Sequence, residues 1–214
     1  GDSTSLSGNY VWALLEDHKK NLWVGTWGAG LSRFDPQTQR FTRYRPIPGD
    51  STALASATIL CMTEDHQGKI LVGTPDGLSC FDYATNRFVT FTERNGIANQ
   101  SINSIVVDKH NSIWVATNYG VSRLDKQTQL FRNYTVSDGL QGIEFAQGVC
   151  AVDSRGRIYF GGDGGINIFD PDSVKDNPFV PSVRITRMKV MERPFSLANV
   201  SDEGIELNYD QNFI

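Results

Sequence analysis

No apolar run in the 214 residues approaches the ~20 that a helix needs to cross a bilayer. There is no excess of positive charge: 20 Lys and Arg stand against 24 Asp and Glu, a formal net charge of −4. Nucleic-acid surfaces carry a basic stripe, so that class of partner is not expected. Cysteine is scarce and odd in number, at Cys61, Cys80 and Cys150. None lies in a C-x-x-C pair or at a zinc-ligand spacing from histidine, so no metal and no cofactor are expected. Each cysteine sits in an apolar run, which reads as a buried thiol. The opening residues, Gly1 to Gly8, are polar and turn-like, with no leader pattern; an exported parent would carry its signal upstream. With 39% hydrophobic and 21% charged residues the chain has a globular composition, not a disordered one.

What is present is a repeat. Four segments align: Asn21-Leu-Trp-Val-Gly-Thr, Lys69-Ile-Leu-Val-Gly-Thr, Ser112-Ile-Trp-Val-Ala-Thr and Arg157-Ile-Tyr-Phe-Gly-Gly. Each follows an apolar stretch ending in Asp17, Asp65, Asp108 or Asp153, at steps of 48, 43 and 45 residues. Each precedes an apolar–Asp pair, Phe34-Asp35, Phe81-Asp82, Leu124-Asp125 or Phe169-Asp170. Three landmarks held in register define one structural unit used four times.

Each unit reads as four short strands. Strand A precedes the Asp, strand B holds the aligned segment, strand C ends in the apolar–Asp pair, and strand D carries an aromatic six residues later. Strand B is apolar on both faces, with Leu22 and Val24 on one side and Trp23 on the other. A sheet buried on both faces needs a neighbour on each. Four-stranded units at this spacing, stacked radially, are propeller blades. The expected fold is therefore all-β, four blades of four antiparallel strands within a larger β-propeller. Blades are expected at about 9–45, 57–92, 101–135 and 147–174. Trp12, Trp23 and Trp114 are expected to pack between them. The fourth unit departs: the strand D aromatics Phe41, Phe88 and Phe131 are matched by Asp176, with Pro178 and Pro181 following. Proline disfavours an interior strand, so this blade is expected to lack its own outer strand. Open end faces would then favour self-association; a closed four-blade ring is the rival.

From Glu16 to Asp35, Glu64 to Asp82 and Val107 to Asp125 the sequence resembles the two-component regulator propeller repeat, with Ala116 replacing a Gly and a divergent fourth unit. Residues 177–214, with Pro181-Ser-Val-Arg-Ile-Thr and Ile205-Glu-Leu-Asn-Tyr-Asp-Gln-Asn, resemble the start of the Ig-like domain of the same family, called Y-Y-Y. The resemblance implies a periplasmic sensor region of a receptor anchored in the inner membrane, coupled to a histidine kinase or diguanylate cyclase. It also implies an oligosaccharide as a possible ligand.

Function concentrates on the variable loops of a rigid scaffold. The B–C hairpins and the unequal D–A crossovers, 45–57, 92–101 and 135–147, share one rim, where a ligand is expected. Trp27 and Tyr119 lie in B–C hairpins, where they can stack on sugar rings or merely cover the next blade. Asp76, Glu144, Gln147 and Asp163 can bond sugar hydroxyls or simply form turns. No catalytic residue is nominated: Asp17, Asp65, Asp108 and Asp153 recur once per blade at a hairpin, and the Gly161–Gly165 run lacks the lysine of a phosphate loop. The alternatives are a propeller glycosidase or lyase, and a protein-binding scaffold.

Overall fold

The computed structural model describes residues 5–125, 128–174, 188–190 and 193–195. The chain divides into two compact units, Gly1–Val174 and Lys175–Ile214. In the second, β16 (Met188–Val190) and β17 (Arg193–Phe195) form an antiparallel hairpin, numbered here after the strands below. The Ig-like reading of 177–214 otherwise lies outside the described residues.

The first unit is four antiparallel sheets, each built from consecutive strands. The first holds β1 (Val11–Glu16), β2 (Leu22–Thr26), β3 (Leu31–Asp35) and β4 (Arg40–Tyr44). The second holds β5 (Cys61–Glu64), β6 (Ile70–Thr74), β7 (Gly77–Asp82) and β8 (Arg87–Phe91). The third holds β9 (Ile102–Val107), β10 (Ile113–Thr117), β11 (Gly120–Leu124) and β12 (Phe131–Tyr134). The fourth holds β13 (Phe145–Val152), β14 (Ile158–Gly162) and β15 (Gly165–Phe169). It has three strands among the described residues and ends in a 3₁₀ turn at Pro171–Ser173. The sheets are propeller blades, and their first strands pack against one another around the axis.

The cores lie between blades, not within them. Trp23, Leu31 and Ile59 meet Ile70, Val72 and Phe81 between the first two. Leu71, Leu78 and Cys80 meet Ile105, Ile113 and Val115 between the second and third. Trp114, Ala116 and Val121 meet Phe145, Ile158 and Phe160 between the third and fourth. Trp23 and Trp114 are fully buried in these layers, as their two-sided apolar context requires. Trp12 is not: it is 55% exposed, because its strand, β1, belongs to the end sheet. Cys61 and Cys80 are buried, and burial pushes both thiols up, Cys80 to about 12. Cys150 is only partly covered, against expectation, because it borders an axial cleft.

The motif glycine has a packing cause. A Cβ on Gly25 would stand 2.6 Å from Ile59 Cγ2, and one on Gly73 would stand 2.6 Å from the Ile102 carbonyl oxygen. The inner strand of the next blade thus crosses directly over strand B. The strand C serines are a second recurring device. Ser32 Oγ accepts from the N–H of Ser7, Ser79 Oγ from Ala55, and Ser122 Oγ from Ala98; Asn167 Oδ1 accepts from Gln141 in the fourth blade. Each blade thereby holds the segment that leads into it, and these four side chains are buried.

Candidate functional site

On one rim the A–B turns are built alike. Each begins with the repeat Asp, whose carboxylate accepts backbone N–H groups two and four residues on, as Asp65 does from Gln67 and Lys69. The fourth residue of the turn has positive φ in every blade: Lys20, Gly68, Asn111 and Gly156. Asp17 also accepts from Trp23 Nε1 at 2.7 Å and from Tyr83 Oη of the next blade. Asp108 accepts from Trp114 Nε1 at 2.9 Å, and Asp153 from Tyr159 Oη at 3.1 Å. These carboxylates are therefore structural. Two turn histidines reach the next blade: the backbone N–H of His18 donates to Glu64 at 2.9 Å and its ring Nδ1 also meets that carboxylate, and His110 Nε2 meets Asp172 at 2.8 Å. Among the described residues no three His, Cys, Asp or Glu side chains converge on a metal-sized site.

The opposite rim carries the B–C hairpins and the crossovers. The threonine ending strand B fixes each of the first three hairpins: Thr26, Thr74 and Thr117 donate Oγ1–H to a glycine carbonyl across the turn. Crossovers bond to these hairpins through the backbone. The N–H groups of Gly28 and Gly30 donate to Ala57, that of Gly120 to Ile143, and that of Asp163 to Glu144. Tyr119, Glu144 and Asp163 are thereby gathered where the third and fourth blades meet, all exposed. Trp27 is exposed on the first hairpin, its ring centroid 5.4 Å from that of Trp12. Asp76 is exposed on the second hairpin, its N–H bonded to Thr74 Oγ1 within that turn.

Gln147 sits elsewhere than the crossover expected for it. It lies inside β13, where the register slips between Phe145 and Cys150 and Gly148 takes a φ of 69°. This bulge turns Gln147 into a cleft of about 450 Å³ bordered by the inner strands of all four blades. Trp12, Leu14, Leu60, Met62, Ile105 and Cys150 share that lining. The volume falls within the ~300–1,000 Å³ of small-molecule sites. Trp12 joins the cleft to Trp27 on the rim. Nothing in the local pattern separates Trp12 from Trp23 and Trp114, since all three stand in apolar strands.

A family model described as two component regulator propeller matches residues 5–28 and 96–119, the lead-in segment with strands A and B of the first and third blades. At those two segments the chain is similar to the two-component regulator propeller repeat. Over 98 residues it is 27% identical to histidine kinase P4 of Formosa agariphila, covering 46% of this chain and 7% of that protein. The extracellular domain of the hybrid two-component system BT3049 of B. thetaiotaomicron is similar over 98% of this chain and 29% of its own, with TM-score 0.72 and 28% identity. The extracellular domain of BT4673 from the same organism has the same fold, with TM-score 0.62 and 19% identity over 76% of this chain and 22% of its own. The chain therefore spans under a third of each of these relatives.

Proposed function

We propose that these blades are the sensing part of a signal-transduction receptor, displayed outside the cytoplasm, and that they bind a ligand rather than transform one. The proposed locale is the periplasm, with the parent protein anchored in the inner membrane. The extracellular placement of the similar domains supports this reading. So does the use of the repeat carboxylates, each engaged in its own turn instead of facing a substrate. The proposed ligand is an oligosaccharide entering the axial cleft from the hairpin rim. The observation that carries this reading is the continuity of Trp27, Trp12 and Gln147: a rim aromatic, a cleft aromatic and a cleft amide. Flat apolar faces beside hydrogen-bonding groups suit sugar rings with their apolar faces and hydroxyl edges. Tyr119, Glu144 and Asp163 form a second cluster on the same rim for a longer chain.

Titrating the protein with a panel of oligosaccharides while following tryptophan fluorescence tests this. A binder should shift the emission of the exposed indoles, and Trp27→Ala should weaken it about tenfold, the worth of one aromatic contact. Gln67→Ala, on the opposite rim, should leave affinity unchanged. Equal losses from both variants, or turnover of the sugar, would overturn the reading.

A further inference from the structure

The first and third blade joints are plugged by one device that the second lacks. At the first joint the ring of Trp23 stacks on that of Tyr44 at 5.6 Å, with the Arg33 guanidinium 5.7 Å over it. At the third, Trp114 stacks on Tyr134 at 5.6 Å, with Arg123 at 5.3 Å. Strand pairing sets Trp23 opposite Arg33 and Trp114 opposite Arg123; the same pair in the second blade is Leu71 and Cys80. Two large planar groups are replaced there by two small side chains.

The second joint has not closed over the difference. A cavity of about 330 Å³ remains, walled by Leu71, Cys80 and Phe91 of the second blade and by Ile113 and Leu124 of the third. It opens outward between the exposed Lys69 and Gln129. An apolar cavity of about 150 Å³ is already enough to take up benzene.

A carboxylate borders this cavity. In the first and third blades the repeat Asp gives Oδ1 to the turn amides and Oδ2 to the indole N–H, Asp17 to Trp23 and Asp108 to Trp114. Asp65 is only 8% exposed, and its Oδ1 takes the N–H groups of Gln67 and Lys69 in the same way. Among the described residues no donor reaches its Oδ2. Buried polar atoms are rarely left so. The vacant space and the vacant acceptor are the two halves of one missing indole.

We propose that the second joint binds a small flat heteroaromatic molecule carrying an N–H donor, of the indole class. Its ring lies against Leu71, Phe91 and Ile113, and its N–H donates to Asp65 Oδ2, as Trp23 and Trp114 do from within the chain at their own joints. The site is on the A–B turn rim, away from the hairpins, and stands independently of the sugar reading.

The probe is indole itself, titrated into the 214-residue chain by calorimetry. It should bind saturably, one molecule per chain. 1-Methylindole, which has no N–H, should bind more than about tenfold more weakly, the worth of a hydrogen bond to a charged group. Leu71→Trp supplies the plug from within and should abolish binding while keeping the β circular-dichroism spectrum. If that variant loses its spectrum, Asp65→Asn decides: it keeps an acceptor for the turn and should bind the two indoles equally. The proposal is overturned if indole does not bind saturably, or if the unchanged chain binds both indoles equally. It is overturned as well if folded Leu71→Trp still binds, or if Asp65→Asn keeps the preference for the N–H.

Discussion

Asp17 closes its turn and also accepts the indole N–H of buried Trp23, six residues on. Asp108 repeats this with Trp114, and Asp153 with the hydroxyl of Tyr159. Asp65 has Leu71 at that place and only turn amides to hold. Removing Asp17 strands a buried donor, whereas removing Asp65 does not. Asp17→Ala should therefore lose about 1–3 kcal/mol in urea unfolding and Asp65→Ala distinctly less; equal losses would show that the indole bond contributes nothing. Acid should act on the same groups. Burial works against ionisation of Asp17, but hydrogen bonds from Tyr83, Trp23 and Asn21 outweigh it and lower its pKa. Desolvation likewise opposes ionisation of Asp153, while the Arg157 backbone and guanidinium and the Tyr159 hydroxyl bring it down to about 2. Both are depressed in the folded state, so their contribution is complete above the ordinary Asp value of about 3.9 and is lost as pH falls through the folded-state value, which for Asp153 is about 2. The unfolding midpoint should drop across that window, and Asp153→Asn should flatten part of the drop.

At the scale of the element, the A–B turn demands a left-handed residue three after the Asp. Gly68 and Gly156 meet this without cost, but Lys20 adopts φ 67° with a side chain attached. Left-handed backbone costs a side-chain-bearing residue ~1–2 kcal/mol, partly offset by the flexibility glycine brings to the unfolded chain. Lys20→Gly should then stabilise the protein by about 0.5–1 kcal/mol, visible as a higher urea midpoint; no change would place the strain elsewhere. The strands and turns were legible from sequence because the Asp, the strand B segment and the apolar–Asp pair recur in register. The serines of strand C were not, since one hydroxyl between apolar residues looks the same whether it faces solvent or holds a neighbouring segment. Gln147 was misplaced for a related reason. Its strand begins two residues earlier, at Phe145, and only Gly148 within an otherwise apolar stretch signalled the bulge.

For the whole molecule, stability resides in three layers between blades, so a blade is as stable as its neighbours make it. Among the described residues the second and third blades are sandwiched on both sides, while the first and fourth each have a neighbour on one side. Hydrogen exchange should accordingly be slowest in β6, β7, β10 and β11 and faster in β2 and β15. Uniform protection across the four sheets would mean that the joints act as a single cooperative body. Trp12 belongs to this scale too: its exposure follows from the position of its blade in the row and not from its own strand, which is why local pattern placed it with Trp23. The rim site was legible only in outline. The hairpins declared themselves, but the cleft is made by four strands far apart in sequence, and no single segment carries its shape.

The serine that fastens each lead-in segment has a consequence for protein engineering. Backbone bonds from the previous hairpin to that segment, such as those of Gly28 and Gly30 to Ala57, do not depend on side chains and would re-form around a foreign sequence. The bond from Ala55 to Ser79 does read the sequence, and it lies within the following blade's own stretch of chain. The portable cassette therefore begins just after an outer strand, at Arg45, and runs to the next outer strand's end at Phe91. A splice placed there carries its own fastening with it, whereas a cut at the start of β5 would leave the hydroxyl of Ser79 behind a stranger's loop.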